Sequence, residues 1–297
     1  MTASDTISAV EPLFVRVSEK TVWSFARVRT AGGLTGVGEA TVPGRESELE
    51  AEIAELAAAL PGASCDPARL PAADAARARG LPAVAALCAV DQALWDIAAQ
   101  REGKPLHALL GACRRDSVPL YANINRRILD RSPAGVAASA REALAAGFDS
   151  FKIAPFDGLA PRVAPTAEGR RLIEAGIARV AALRAAVGPD CRVMVDCHWR
   201  FDEPTSLDAL RELDAFGLHW FECPLQESTE AIPALRRLRN AANARGVLLA
   251  GAELMSGLAG FRPFIEARAY DAMMPDVKYA GGLSEMLRLA EAFAQAG

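Results

Sequence analysis

Short β-branched and aromatic runs open the chain at Phe14 to Val17 and Val22 to Arg29, and Ala31-Gly32-Gly33-Leu34-Thr35-Gly36-Val37-Gly38 follows them. Runs of this kind punctuated by glycine predict strands joined by a tight turn. Residues 45–60 are acidic at the front and then rich in Ala and Leu. Val84 to Arg101 places Val84, Leu87, Cys88, Ala89, Leu94, Trp95 and Ile97 among polar residues at mostly helical spacing. The first part of the chain, 1–117, is therefore expected to be an α+β domain, with 106–115 around Leu109-Leu110-Gly111 as a connector.

From residue 118 the pattern changes to short apolar runs, each followed by a longer stretch rich in Ala, Leu and Arg. Strands are expected at 118–124, 149–154, 192–198, 218–223, 247–252 and 272–278. Helices are expected around 133–146, 168–187, 206–215, 230–245, 257–269 and 283–295. Six βα units in series predict a parallel sheet with helices outside it, an α/β fold. Nearly every strand finishes on a charged or polar residue, and barrel active sites gather at such C-terminal ends, which favours a (β/α)8-type, TIM-like barrel over 118–297. Closing such a barrel takes eight units and only six are present, so the C-terminal strands are expected to be missing from this sequence.

Charge narrows the partners. With 33 basic and 37 acidic side chains the formal balance is -4, which gives no reason to expect nucleic acid or an anionic membrane as a partner. A small molecule is the better expectation. Apolar residues make up 51% of the 297, but charges interrupt every long run, and the N-terminal Met1 to Pro12 carries acids and no apolar core of a signal peptide. The expected compartment is the cytoplasm. Six cysteines (65, 88, 113, 191, 197, 223) lack CxxC spacing and are expected to be free, packed thiols.

Three carboxylates end successive predicted strands: Asp196 in Val193-Met194-Val195-Asp196, Glu222 in Trp220-Phe221-Glu222-Cys223-Pro224, and Glu253 in Ala250-Gly251-Ala252-Glu253. Each acid alone is more often a helix cap or an ion-pair partner. Held side by side at the end of a barrel, however, they would raise one another's pKa or demand a cation. All-oxygen ligation points to Mg2+, with Mn2+ second, over zinc. Strand alternation then puts His198 on the face of Asp196, where an imidazole can protonate a leaving hydroxyl; a hydrogen-bonded structural role is its alternative. Arg200, two residues on, is a candidate for holding substrate oxygens, although most arginines past a strand are surface charges. Lys152, inside an apolar run on the second strand, faces the acids and could meet a substrate carboxylate or, with a depressed pKa, act as a base. The sixth predicted strand offers Asp276 and Lys278 on one face, with a mutual salt bridge as the plainer reading.

These residues, in this order, resemble the enolase superfamily in its mandelate racemase/muconate lactonizing enzyme-type branch. Gly36-Val37-Gly38-Glu39-Ala40, Ala93-Leu94-Trp95-Asp96 and Leu109-Leu110-Gly111 are similar to the capping domain of that branch and its link to the barrel. Pro275-Asp276 with Gly281-Gly282 extends the likeness over almost the whole chain. The resemblance implies that Mg2+ binds a substrate carboxylate, a base removes the α-proton, and the metal stabilises the enediolate. Asp196-Cys197-His198-Trp199-Arg200 looks like the Asp-x-His-x-Arg segment of the sugar-acid dehydratases, in which the histidine expels the β-hydroxyl as water. Family members often carry Lys-x-Lys on strand two, whereas Ala154 takes the second place here. Asp276 matches an aspartate that orients a histidine on strand seven, so the principal base is expected beyond residue 297.

The expectation is thus a Mg-dependent hydro-lyase acting on an aldonic or related hydroxy acid to give a 2-keto-3-deoxy acid. A racemase, epimerase or cycloisomerase using Lys152 and Lys278 is the alternative within the superfamily. A non-catalytic metal or sugar-acid binder is the alternative outside catalysis. The capping domain is expected to choose the substrate through loops at 17–23 and 42–48, with Arg45 as a possible contact, and the assembly is expected to be a homo-oligomer.

Overall fold

A computed structural model of the chain describes residues 6–297 apart from 20, 72, 112, 114, 126 and 127. Residues 1–5 of the N-terminal stretch, residue 20 of the loop at 17–23, and residues 112 and 114 of the connector lie outside the described residues. The chain divides into two compact units. One gathers the residues up to Asp116 with Glu253–Arg262 and Pro275–Gly297; the other holds Ser117–Ala252 and Pro263–Met274.

In the first unit β1 (Ile7–Ser18), β2 (Thr21–Thr30) and β3 (Thr35–Glu39) form an antiparallel meander. Alternation decides its faces, since Ser24, Ala26, Val28 and Thr30 are buried while Trp23 is exposed. The helices α1 (Glu46–Ala59), α2 (Ala73–Arg77), α3 (Leu81–Glu102) and the short α4 (Leu106–Leu109) follow. A Cβ at Gly36 would lie 2.1 Å from the Ala93 carbonyl oxygen, and one at Gly38 would lie 2.0 Å from that of Ala89. The Gly-x-Gly of β3 is therefore what lets the strand rest on the α3 backbone. Pro82 in its first turn and Gly103 as a left-handed C-cap frame α3. By length and composition α3 is long and apolar enough to cross a membrane, but 72% of its apolar window is buried inside the protein, as befits a core helix.

The second unit alternates strand and helix: β4 (Ala122–Asn123), α5 (Pro133–Ala145), β5 (Ser150–Ile153), α6 (Ala167–Val187), β6 (Arg192–Asp196), α7 (Glu203–Leu213), β7 (Trp220–Glu222), α8 (Ile232–Asn243), β8 (Leu248–Gly251), then, after α9 (Gly257–Glu266), whose residues up to Arg262 belong to the first unit, β9 (Ala272–Met273). The last helix, α10 (Gly282–Ala296), belongs to the first unit. Ser132, Thr166 and Asp202 cap α5, α6 and α7 by accepting from the amides of Gly135, Gly169 and Thr205, each cap contributing about 1 kcal/mol. The six strands pair in parallel and in chain order. Phe151, Ile153, Val193, Val195, Phe221 and Leu249 alternate to one buried face of the sheet, and Lys152, Met194, Asp196 and Glu222 occupy the other.

Several expected strands are shorter in the fold. Residues 118–121 stay outside β4, with Val118 and Leu120 exposed, because β4 has a strand neighbour on one side only. The sixth barrel strand stops at Met273, so Asp276 and Lys278 do not share a strand face. They lie in the segment that turns into α10. Likewise β6 ends at Asp196, and His198 sits in a turn.

Candidate functional site

In-register pairing sets Asp196 beside Glu222 at the C-terminal ends of β6 and β7, and Lys152 of β5 shares their face. All three are buried, with Asp196 at 4%, Glu222 at 0% and Lys152 at 5% exposure. The Lys152 Nζ donates to Glu222 Oε1 at 2.5 Å and stands 3.5 Å from Asp196 Oδ2. Burial by itself would lower the lysine pKa. Glu222, and after it Asp196, outweigh that, so the ammonium is held above its ordinary value. The depressed pKa that a lysine base would need is thus not realised. Lysine carries three N–H donors; Glu222 takes one of them, and Asp196 is an ion-pair neighbour. The Tyr121 ring, 5.4 Å from Nζ, and Trp220, whose Nε1 donates to Glu222 Oε2 at 2.9 Å, complete this surface.

His198 reaches the same point by an irregular route. Its amide donates to Asp196 Oδ1 at 3.0 Å, and its Nε2 stands 3.0 Å from Asp196 Oδ2. The expected proximity of the two side chains is found, but left-handed backbone at His198 and Trp199 produces it in place of strand alternation. Burial pushes the Asp196 carboxyl upward, yet the hydrogen bond and charge of His198 and the charge of Lys152 carry it below its usual value. The imidazole itself remains 41% exposed, open to an incoming molecule.

Five non-glycine residues have positive φ among the described residues, and four of them follow three consecutive strands: His198 and Trp199 after β6, Cys223 after β7, and Ala252 after β8. Such backbone costs about 1–3 kcal/mol per residue and persists where surrounding bonds over-determine it. Each of the four has its amide engaged, by Asp196 Oδ1, the Cys223 carbonyl, the Ala250 carbonyl and Glu227 Oε1 respectively.

The remaining candidates fall elsewhere. The Arg200 guanidinium donates to the Phe156 carbonyl. Glu253 stands two residues beyond β8, in the first unit. Asp276 and Lys278, also in the first unit, pair with each other at 3.1 Å, the plainer of the two expectations for them. Arg45 precedes α1 and pairs with Glu48 at the surface. No group of three or more His, Cys, Asp and Glu side chains is gathered around one point among the described residues. In the second unit two carboxylates converge, with an ammonium between them. Trp220 was findable from sequence, because it lies two residues before Glu222 on the same strand. Glu227, in an irregular loop, carried no periodic signal.

The donor set nevertheless fits a hard cation. Two buried carboxylates offer oxygen ligands side by side, and these oxygens already draw the Lys152 ammonium between them.

Comparison with known proteins bears on the same residues. The model of the mandelate racemase/muconate lactonizing enzyme N-terminal domain matches residues 8–111, and that of the enolase C-terminal domain-like region matches 135–297. D-galactonate dehydratases of Ralstonia pickettii and Xanthomonas campestris pv. campestris are each 32% identical over 275 residues, covering 90% of this chain and 68% of the relative. A mandelate racemase/muconate lactonizing enzyme-like protein of Rubrobacter xylanophilus matches with a TM-score of 0.84 and 30% identity, over 98% of this chain and 77% of that one. An enolase superfamily member from Salmonella Typhimurium, at TM-score 0.82 and 23% identity, covers 98% of this chain and 78% of its own, and supports the fold alone. The six-stranded parallel sheet fits part of a TIM-type barrel, and enzymes of this family use a divalent metal. Matched by both domain models and by relatives at 32% identity over two thirds of their length, the chain belongs to the mandelate racemase/muconate lactonizing enzyme family of the enolase superfamily.

Proposed function

We propose that this protein is a Mg2+-dependent acid-sugar dehydratase, which removes the α-proton of a hydroxy acid and expels its β-hydroxyl as water to leave a 2-keto-3-deoxy acid. The observation that carries this reading is His198 Nε2 held 3.0 Å from Asp196 on the face that also bears Lys152 and Glu222. Asp196 and Glu222, with Glu253 assigned from the sequence, would hold the metal. When bound, the ion would supply positive charge to the enediolate oxygens as that charge develops.

The α-proton passes to the principal base, which the resemblance to the family puts outside these residues, and the chain's own groups divide the remaining work. Lys152, an ammonium with N–H donors beyond the one given to Glu222, meets the substrate carboxylate. His198 delivers a proton to the departing β-oxygen: the Cβ–O bond breaks, its electron pair leaves with oxygen, and water forms. The enol that remains tautomerises to the ketone. Arg200, two residues beyond His198 in the sequence, is assigned to substrate oxygens from the resemblance alone. Aldonic acids are the favoured class because the two relatives above are D-galactonate dehydratases.

The test is His198→Asn assayed on D-galactonate and related aldonic acids with Mg2+. Formation of 2-keto acid is expected to fall by about 10²–10⁴-fold, while deuterium uptake at Cα from solvent persists. Dehydration untouched by the change would overturn the assignment.

A further inference from the structure

We infer that Asn123 is a substrate-binding residue, which donates to the substrate carboxylate beside Lys152. This rests on the proposed action on hydroxy acids. Asn123 of β4 and Lys152 of β5 are paired in register at the edge of the parallel sheet, so the two side chains share a face. Tyr121, two residues before Asn123, has its ring 5.4 Å from Lys152 Nζ, which sets that same face of the β4 segment against the ammonium. Lys152 is buried, whereas Asn123 is exposed, because β4 has a strand neighbour on one side only.

Hydrogen bonds fix which end of the carboxamide is presented. Asn125 Oδ1 accepts from the Ala154 amide at 2.8 Å and from Arg131 Nη1 at 3.3 Å, two donors that only an oxygen can satisfy. Asn125 Nδ2 then donates to Asn123 Oδ1 at 3.1 Å, and the Asn125 backbone amide donates to that same oxygen at 3.3 Å. The oxygen of Asn123 is thereby taken, and its Nδ2 has no acceptor among the described residues. Arg131 is itself anchored, by Nε to Asp157 Oδ2 at 2.8 Å and by Nη2 to the Ala154 carbonyl at 2.6 Å. A directed chain of donors thus runs from a guanidinium through two carboxamides and ends on two unmet N–H groups. Beside an ammonium, such an end complements an anionic oxygen and offers a cation nothing.

Two readouts test this in the full chain. Asn123→Leu keeps the size and removes the donors. With D-galactonate and Mg2+ it is expected to raise KM by about 10–100-fold, the scale of a lost hydrogen bond to a charged group. Turnover should stay within about threefold in kcat, since the contact holds the carboxylate both before and after the α-proton leaves. Asn125→Asp retains an oxygen for Ala154 and Arg131 but meets Asn123 with an acceptor in place of a donor. The Asn123 carboxamide then turns its N–H groups inward, and KM should rise on the same scale. An unchanged KM in either variant, or a loss confined to kcat, would refute the role. Independently of turnover, the side-chain NH2 resonances of Asn123, assigned by their absence in Asn123→Leu, should shift when D-galactonate or glycolate is added to the wild type and stay in place with the neutral polyol galactitol. No shift with either acid, or an equal one with galactitol, sinks the proposal. A wild type that dehydrates no aldonic acid sinks the dehydratase reading instead, while the response of the carboxamide to glycolate still decides whether Asn123 meets a carboxylate.

Discussion

Asp91 and Asp196 are both 4% exposed aspartates, one in each compact unit, and they are stabilised in opposite ways. Asp91 accepts from the Ser284 hydroxyl at 2.5 Å and from the Ser284 amide at 3.1 Å, at the first turn of α10, while the Trp95 indole donates to that same hydroxyl. Its partners are neutral, and burial leaves its pKa raised despite them. Asp196 has an ammonium and an imidazole as neighbours, and its pKa is lowered although burial opposes this. A carboxylate that caps a helix from a neighbouring element needs only dipoles and tolerates protonation. One that stays ionised while buried, beside strained backbone, marks chemistry.

The comparison breaks most sharply at Lys152. Replacing it with methionine leaves Asp196 and Glu222 without their ammonium, and a loss of about 3–5 kcal/mol is expected in urea denaturation without metal. Saturating Mg2+ should return part of this loss, by about 2.7 kcal/mol at a hundred times Kd. No response to Mg2+ in either protein would count against cation binding at these carboxylates.

A second substitution asks whether the first unit depends on packing more than on charge. Gly38→Ala drives a Cβ into the Ala89 carbonyl oxygen, and about 3 kcal/mol of destabilisation is expected in thermal melts. At the buried cap, Asp91→Ala should cost about 2 kcal/mol by leaving the Ser284 donors unmet, read by the same melts.

The smallest effect sharpens the sign. Because Asp91 has a raised pKa in the fold, its ionisation is disfavoured there. Its contribution to stability is therefore full below the unfolded value of 3.8 and declines as pH rises from there through its folded value. Asp271 of the second unit accepts from the Leu249 amide at 2.8 Å and pairs with Arg239 at 2.8 Å. Against the opposing push of burial these partners lower its pKa, so its contribution is present above 3.8 and is lost as pH falls through the folded value. Stability measured against pH should flatten in opposite senses in Asp91→Asn and Asp271→Asn.

Much of this was legible in the residues alone. Alternation placed Lys152, Asp196 and Glu222 on one sheet face, and the six βα units follow the expected order with helix ends within a few residues. Strand lengths were less legible, because a run such as Val118-Pro119-Leu120 pairs only if a neighbour is present to bond it. The approach of His198 to Asp196 was anticipated for the wrong reason: a left-handed turn, invisible to a two-residue period, makes the contact.

What the sequence determined by itself is the periodicity, hence which side of each strand carries charge, and the family to which the chain belongs. Tertiary structure alone decided the rest: that Lys152 lies between two acids and so keeps its proton, and that Asp276 and Lys278 leave the sheet. Charge balance and backbone strain depend on distances across strands and loops far apart in the chain, and local pattern holds no information about those distances.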